Sequence, residues 1–252
     1  MFSFEKGLST ENQENKPELY IENQYNDFLP EDFRDNPQRY IEERGENIKS
    51  GEIKYRANGS VREDPTASKF LPEWRNNQGE TIQPVSKKVN LEKVRTRTEA
   101  GVEKLEDPLL EYKMMSLCQI LDLPSAKPIG FVEQGDNSFT LMERVRGYTW
   151  TKRDKEVLGK LGLTTEDEGP IQRQIEEHMS AFKEKLEEFG IYRKWKHKDM
   201  VFGLDVGLKT VTGIVPVDWE GSHLDKEKLI QRISSFSPED RQKIEEIISL
   251  KI

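Results

Sequence analysis

The sequence predicts an α+β protein. Three observations carry that reading: short stretches of alternating apolar residues through the first half, two segments with apolar residues at 3.6 spacing, and a C-terminal stretch with clear helix-start signals. Strands gather in the first half and helices in the second, the segregated order of an α+β chain rather than the strict alternation of a parallel-sheet protein.

Taken in order, Pro37–Glu46 reads as a short helix opened by proline. Glu52–Arg56 and Ser60–Arg62 then flank Asn58-Gly59, a type I′ hairpin signal. Val85, Val89, Leu91 and Val94 mark extended segments. Asp107-Pro108 opens a helix running to about Leu121, its apolar face made by Leu110, Met114, Leu117 and Leu121, and Pro124 and Pro128 stop it. Gly130–Glu133 and Ser138–Glu143 form a hairpin around Gly135-Asp136-Asn137. A long amphipathic helix follows over Pro170–Phe189, with Ile171, Ile175, Met179, Phe182, Leu186 and Phe189 on one face and Gly190 ending it. Two strands, Met200–Leu204 and Val211–Val217, turn near Gly207. Helices over 225–235 and 238–250 close the sequence, the second with Ser237 as N-cap and Pro238 at its first position.

Composition bounds the function. Of 252 residues, 34% are hydrophobic and 34% charged, with a net charge of -8. The acidic balance argues against a broad nucleic-acid surface. A single cysteine, Cys118, excludes a disulfide framework and a cysteine-rich zinc site, and His178, His197 and His223 are too scattered to make a metal set. No run of 18 apolar residues suggests a membrane span, and the N-terminal MFSFEKGLSTENQEN lacks the features of a secretory signal, so a cytoplasmic protein is expected. Polarity is uneven. Residues 1–70 carry 10 Lys/Arg against 15 Asp/Glu and 13 Leu/Ile/Val/Phe. They are expected to form an acidic extension, partly disordered or draped over the rest and available to a protein partner.

The segment LEYKMMSLCQILDLPSAKPIGFVEQGDNSFTLMERVRGYTW (Leu110–Trp150), followed by GIVPVDWEG (Gly213–Gly221), resembles the protein-kinase-like superfamily, in its small-molecule branch of aminoglycoside-phosphotransferase type. A glutamate-bearing helix, the LPSAKPIG stretch, a hairpin, the hinge-like MERVRG and the VDWEG strand end occur in the family's order over roughly residues 85–225. The resemblance implies a reduced bilobal kinase-like fold. An antiparallel N-lobe sheet would span 71–146 and a helical C-lobe 147–252, with only 34 residues after Asp218. It also implies ATP and Mg2+ as cofactors and a small-molecule, anionic or protein substrate.

Phosphoryl transfer is mostly positioning and charge neutralisation. The family pattern asks for a phosphate-holding lysine, a glutamate that holds the lysine, a metal-binding aspartate and an acceptor-orienting aspartate. Lys93, 18 residues before Glu111, is the first candidate lysine; Lys87 and Lys88 are rivals, and all three read equally as solvated strand lysines. Glu111, beside helix leucines, is the candidate partner. Asp218, at the end of an apolar strand, is the candidate metal ligand, with Glu220 two residues on. Met142, Glu143 and Val145 would hold adenine through hinge backbone groups.

The catalytic loop admits two alignments. In one, His197-Lys198-Asp199 is the family's H-x-D, Asp199 and His197 are catalytic, and Asp205 joins Asp218 on the metal. In the other, counted from Gly190-Ile191, Asp199 takes the position of the loop asparagine. The catalytic carboxylate would then fall near Lys194-Trp195 and be missing, as in a pseudokinase. No glycine-rich phosphate loop stands out; Ala57-Asn58-Gly59-Ser60 is the nearest tip. The basic run Arg193, Lys194, Lys196 and Lys198, interleaved with Trp195 and His197, reads as an anion site, a base-stacking patch or a solvated loop. Two functions remain open: an ATP/Mg-dependent phosphotransferase, or a catalytically inactive binding or scaffold protein.

Overall fold

A computed structural model describes residues 17–48, 68–89, 109–134, 137–148, 161–219 and 221–250. Its elements, in chain order, are β1 (Glu18–Ile21), α1 (Glu31–Asp35), α2 (Pro37–Arg44), β2 (Glu46–Asn47), β3 (Ser68–Phe70), β4 (Trp74–Arg75), β5 (Thr81–Ile82) and β6 (Pro84–Val89). There follow α3 (Leu110–Ile120), β7 (Pro128–Gln134), β8 (Asn137–Glu143) and α4 (Thr165–Glu188). The last are β9 (Ile191–Tyr192), β10 (Met200–Asp205), β11 (Thr210–Pro216), β12 (His223–Leu224), α5 (Lys226–Arg232) and α6 (Pro238–Ser249). The architecture is α+β, with an antiparallel sheet first and most of the helix after it. The Asn58-Gly59 hairpin signal lies outside the described residues.

Six strands form one sheet in the order β1-β7-β8-β6-β3-β2, every neighbouring pair antiparallel. Strand alternation splits its residues between two cores. On β8, Phe139 and Leu141 join Ile129 and Val132 of β7 on the outer face, while Met142 faces the main core with Val85 of β6. The outer face is covered by residues 17–48: Tyr25, Phe33, Tyr40 and Ile41 pack there with Leu71 and Trp74. Ring contacts tie them together, Phe33 to Trp74 at 4.9 Å and Phe33 to Tyr40 at 5.4 Å between centroids. The expected division at residue 70 therefore falls inside a single core, and residues 17–48 are built into the sheet lobe. Much of their buried surface is aromatic, and tyrosines do not register in a count of aliphatic residues and phenylalanine.

β1 closes one edge of the sheet, pairing Ile21 with Gly130. A Cβ at Gly130 would stand 2.1 Å from the Tyr20 carbonyl oxygen, so only glycine admits the strand this close. The glycine of PIGF thus fixes where the N-terminal strand docks.

Helix α3 is buried nearly all round, from Glu111 to Cys118, which marks a helix enclosed on every side rather than a surface helix. It lies between the sheet and the C-terminal part, with Met114, Met115, Leu117 and Cys118 in the main core. Buried Lys113 donates from Nζ to the carbonyl of Leu250 at 2.6 Å, holding α3 to the end of α6.

The two parts meet just after β8. Tyr148 and Phe202 exchange backbone hydrogen bonds at 2.9 and 2.8 Å. Gly147, at φ +155°, leaves no room for a side chain there: a Cβ would lie 2.5 Å from Val201 Cγ1. In the second part, α4 buries Ile171, Ile175, Phe182 and Leu186, and its closest strand neighbour is β11 of the β10–β11 hairpin. The helix begins at Thr165, five residues before the expected Pro170. The reason is a cap: the Thr164 N–H and hydroxyl both reach Asp167 Oδ2, at 2.9 and 3.0 Å. Lys209 Nζ binds the same carboxylate at 2.8 Å. Pro170, the sixth helical residue, lies past the four N–H groups that have no helical partner, so the helix runs through it with one backbone bond fewer. Among the described residues no helix is long and apolar enough to cross a membrane.

Candidate functional site

β6 positions the first cation. Val85 faces the main core, and Lys87, two residues on, points to the same side. Its Nζ lies 2.5 Å from Glu111 Oε1 and 2.7 Å from Asp218 Oδ1. Only 13% of the Lys87 side chain and 10% of that of Glu111 are exposed. Burial pulls the Lys87 ammonium toward deprotonation, but the charges of Glu111 and Asp218 outweigh it and raise the pKa above the ordinary lysine value. Lys87 is therefore charged at neutral pH.

Glu111 sits in the first turn of α3 and also accepts from the backbone N–H of Trp219 at 3.0 Å. One carboxylate thereby joins the sheet lysine to the chain just beyond Asp218. Trp219 is fully buried against Trp195 at 5.0 Å and Phe182 at 6.4 Å, which anchors the β11 end that presents Asp218.

A second cation completes the group. Arg193 follows β9, which is held by pairing with β12. Its guanidinium donates to the Asp218 carbonyl through Nη1 and to Asp199 Oδ2 through Nη2 at 3.2 Å, with Nη2 also 3.6 Å from Asp218 Oδ2. It stacks over the Trp195 ring at 4.5 Å. Asp199 is buried; its Oδ2 also accepts the Lys196 backbone N–H at 3.0 Å, and its carbonyl accepts from Val217 at 3.0 Å. Three carboxylates and two cations thus share one partly buried cluster, leaving one net negative charge among these five groups.

The structure brings together Glu111, Asp218 and Asp199 of the expected residues. Lys93 and Glu220 lie outside the described residues, and the lysine in contact with Glu111 is Lys87. Asp205 is a correction. It ends β10 opposite Thr210, whereas Asp218 follows Pro216, which pairs with Met200 at the other end of the hairpin. Five residues of strand separate them by roughly 16 Å, and Asp205 Oδ1 instead accepts the Leu208 N–H in the turn. His197 faces α4, its Nε2 3.8 Å from Glu176 Oε1. Of the residues expected at a hinge, Met142 is buried and Val145 packs against the main core. Glu143 donates its N–H to Lys127 at 2.9 Å and accepts the Tyr25 hydroxyl at 2.7 Å. Asp199 immediately precedes β10, the place that the second loop alignment gives it; in that alignment the catalytic position falls near Lys194, which is exposed.

Arg193 is the member of the site that sequence reasoning did not single out. Its only signal was the basic run, and nothing in that run singles out the one residue that turns inward.

These groups do not fit a divalent cation. Asp199 Oδ2 already accepts two N–H groups, and both oxygens of Asp218 face a cation. Among the described residues no cluster of three His, Cys, Asp or Glu could hold a metal ion. The two cations at the site, an ammonium and a guanidinium, have the chemistry to face an anion instead.

Neither a protein-family model nor a curated protein matches the sequence. Among solved structures, the chain is similar to amicoumacin kinase hAmiN in complex with AMP-PNP, Ca2+ and Ami, at 10% identity over 84% of this chain and 75% of that one, with a TM-score of 0.29. A likeness at that level does not establish a shared fold, so the functional reading rests on the site's own geometry.

Proposed function

We propose that this chain is a kinase-like nucleotide-binding protein whose cleft between sheet and hairpin takes the polyphosphate of a nucleoside triphosphate. The observation that supports it is Lys87 held between Glu111, on the helix, and Asp218, at a strand end. A strand lysine paired with a helix glutamate is how kinase-type sites aim an ammonium at phosphates. In this reading Lys87 exchanges part of its contact with Asp218 for phosphate oxygens while Glu111 keeps it oriented. The hinge at Met142, Glu143 and Val145 lies at the end of β8, next to β6, and would border the base.

For the chemistry after binding, one reading is phosphoryl transfer to a small or anionic acceptor, with Asp199 orienting the acceptor hydroxyl. The second, inactive binding or scaffolding, is favoured by a specific observation: Asp199 is buried and its Oδ2 is already engaged by Arg193 and Lys196. A general base needs an acceptor oxygen within hydrogen-bond reach of the substrate proton.

A thermal-shift titration with ATP tests binding. The midpoint should rise with ATP concentration and the rise should disappear in Lys87→Ala. A flat titration for the wild-type protein refutes the proposal. Product formation from labelled ATP in the presence of a panel of hydroxyl acceptors, lost in Asp199→Asn, would decide for transfer over inactive binding.

A further inference from the structure

We infer that Arg193 is a built-in counter-cation: its guanidinium fills the place between Asp199 and Asp218, so this site binds polyphosphate without a divalent metal. The second half of that statement rests on the nucleotide reading above; the first half stands on the geometry alone.

The guanidinium is fixed from several sides. One nitrogen bonds the Asp218 carbonyl, and the other lies 3.2 Å from Asp199 Oδ2 and 3.6 Å from Asp218 Oδ2. Its plane rests on Trp195, which packs against Trp219 at 5.0 Å and Phe182 at 5.8 Å. Only 6% of the Arg193 side chain and 4% of that of Asp199 are exposed. Swinging the arginine out would strip a buried carboxylate of its partner and give up the aromatic stack. A guanidinium stays charged at any working pH.

A magnesium-sized ion needs near-octahedral oxygens at about 2.0–2.1 Å. Here Asp199 Oδ2 and both carboxylate oxygens of Asp218 point at nitrogen donors. A metal beside a triphosphate neutralises charge on the phosphate oxygens and, in doing so, removes their repulsion from nearby acidic side chains. Arg193 already cancels it for Asp199 and Asp218, and Lys87 does so for Glu111 and Asp218. A polyphosphate entering the site therefore meets carboxylates already paired with cations, with one net negative charge left among the five groups.

Three calorimetric titrations of the full chain test this: ATP in EDTA, ATP with Mg2+, and Mn2+ alone. The wild type should bind ATP with affinities that agree within about twofold in the two buffers, and Mn2+ alone should bind weakly. In Arg193→Gln, Mn2+ alone should bind at least about tenfold more tightly than in the wild type, and ATP affinity should become metal-dependent by a similar factor. Arg193→Lys, which keeps a cation, should retain metal independence. A wild-type ATP affinity that falls about tenfold or more in EDTA overturns the inference, and this arm needs no variant to fold. So does an Arg193→Gln protein that binds Mn2+ no better than the wild type. If the wild type binds ATP in neither buffer, the nucleotide reading and metal-free binding fall together. The Mn2+ comparison then still decides whether Arg193 excludes metal.

Discussion

Replacing Lys87 with methionine keeps the length of the side chain and removes its charge. Glu111 would then face only the Trp219 N–H, in a position where 10% of its side chain is exposed. Breaking a buried ion pair by deleting one partner costs about 3–5 kcal/mol. In a domain of this size each kcal/mol lowers the midpoint by about 2–4 °C, so Lys87→Met should melt roughly 6–20 °C lower. Urea denaturation of Lys87→Met, Glu111→Gln and the double variant measures the coupling directly. The double variant should be more stable than the two single losses add up to, by about 1–3 kcal/mol. The pH dependence has a definite sign. The folded-state pKa of Lys87 is raised above 10.5, so its contribution is fully present below that value and is lost as pH rises beyond it. The stability difference between wild type and Lys87→Met should thus be level from neutral pH to about 10 and shrink above it. A Lys87→Met protein within about 0.5 kcal/mol of wild type, with an additive double variant, would mean that Lys87 is a solvated surface lysine and that the site does not exist as described.

Other outcomes follow from the same geometry. Gly130→Ala should push β1 off the sheet edge, speeding amide exchange at residues 18–21 and costing about 1–3 kcal/mol, as overpacking does; unchanged exchange there would contradict the close approach of Tyr20. Asp205→Ala should leave ATP affinity within about twofold of wild type, because the residue serves only its own turn; calorimetry checks it. The Asp167 carboxyl is held down, from 3.8 to about 2, chiefly by Lys209 and then by the Thr164 N–H. Its stabilisation of the α4 start is present above pH 3.8 and lost as pH falls through about 2. Amide protection at residues 165–168 should fall in that window in the wild type and already be low in Asp167→Asn.

Glu111 and Asp218 were legible because each depends on local pattern: a carboxylate on the enclosed helix, and another at the end of an apolar strand. The lysine was legible only as one of three candidates. Alternation puts Lys87 and Lys93 on the same strand face, and an interval of 18 residues to Glu111 favoured Lys93, which lies outside the described residues; Lys87 stands 24 residues from Glu111, and an intervening segment can take any length without changing who meets whom. Asp205 fails for a related reason. Its distance along the chain from Asp218 says nothing once the hairpin register puts the two at opposite ends. Arg193 was hidden because an inward-turning basic residue and its solvated neighbours read alike. The N-terminal strand and helices were undervalued because their packing is carried by tyrosines on a polar background.

The bond from Lys113 to the carbonyl of Leu250 spans 137 positions. Chains leave the ribosome N-terminus first, at about 5–20 residues per second. The helix that carries Glu111 is therefore made long before the residue that clasps it, and the interval is on the order of ten seconds. During that time the sheet lobe can form, since its strands from Glu18 to Glu143 are already present, but the lysine–glutamate pair stands on a helix held from one side only. Completion of the charged site thus waits for α6, and a nascent chain stalled before α6 would display the sheet lobe without a finished site.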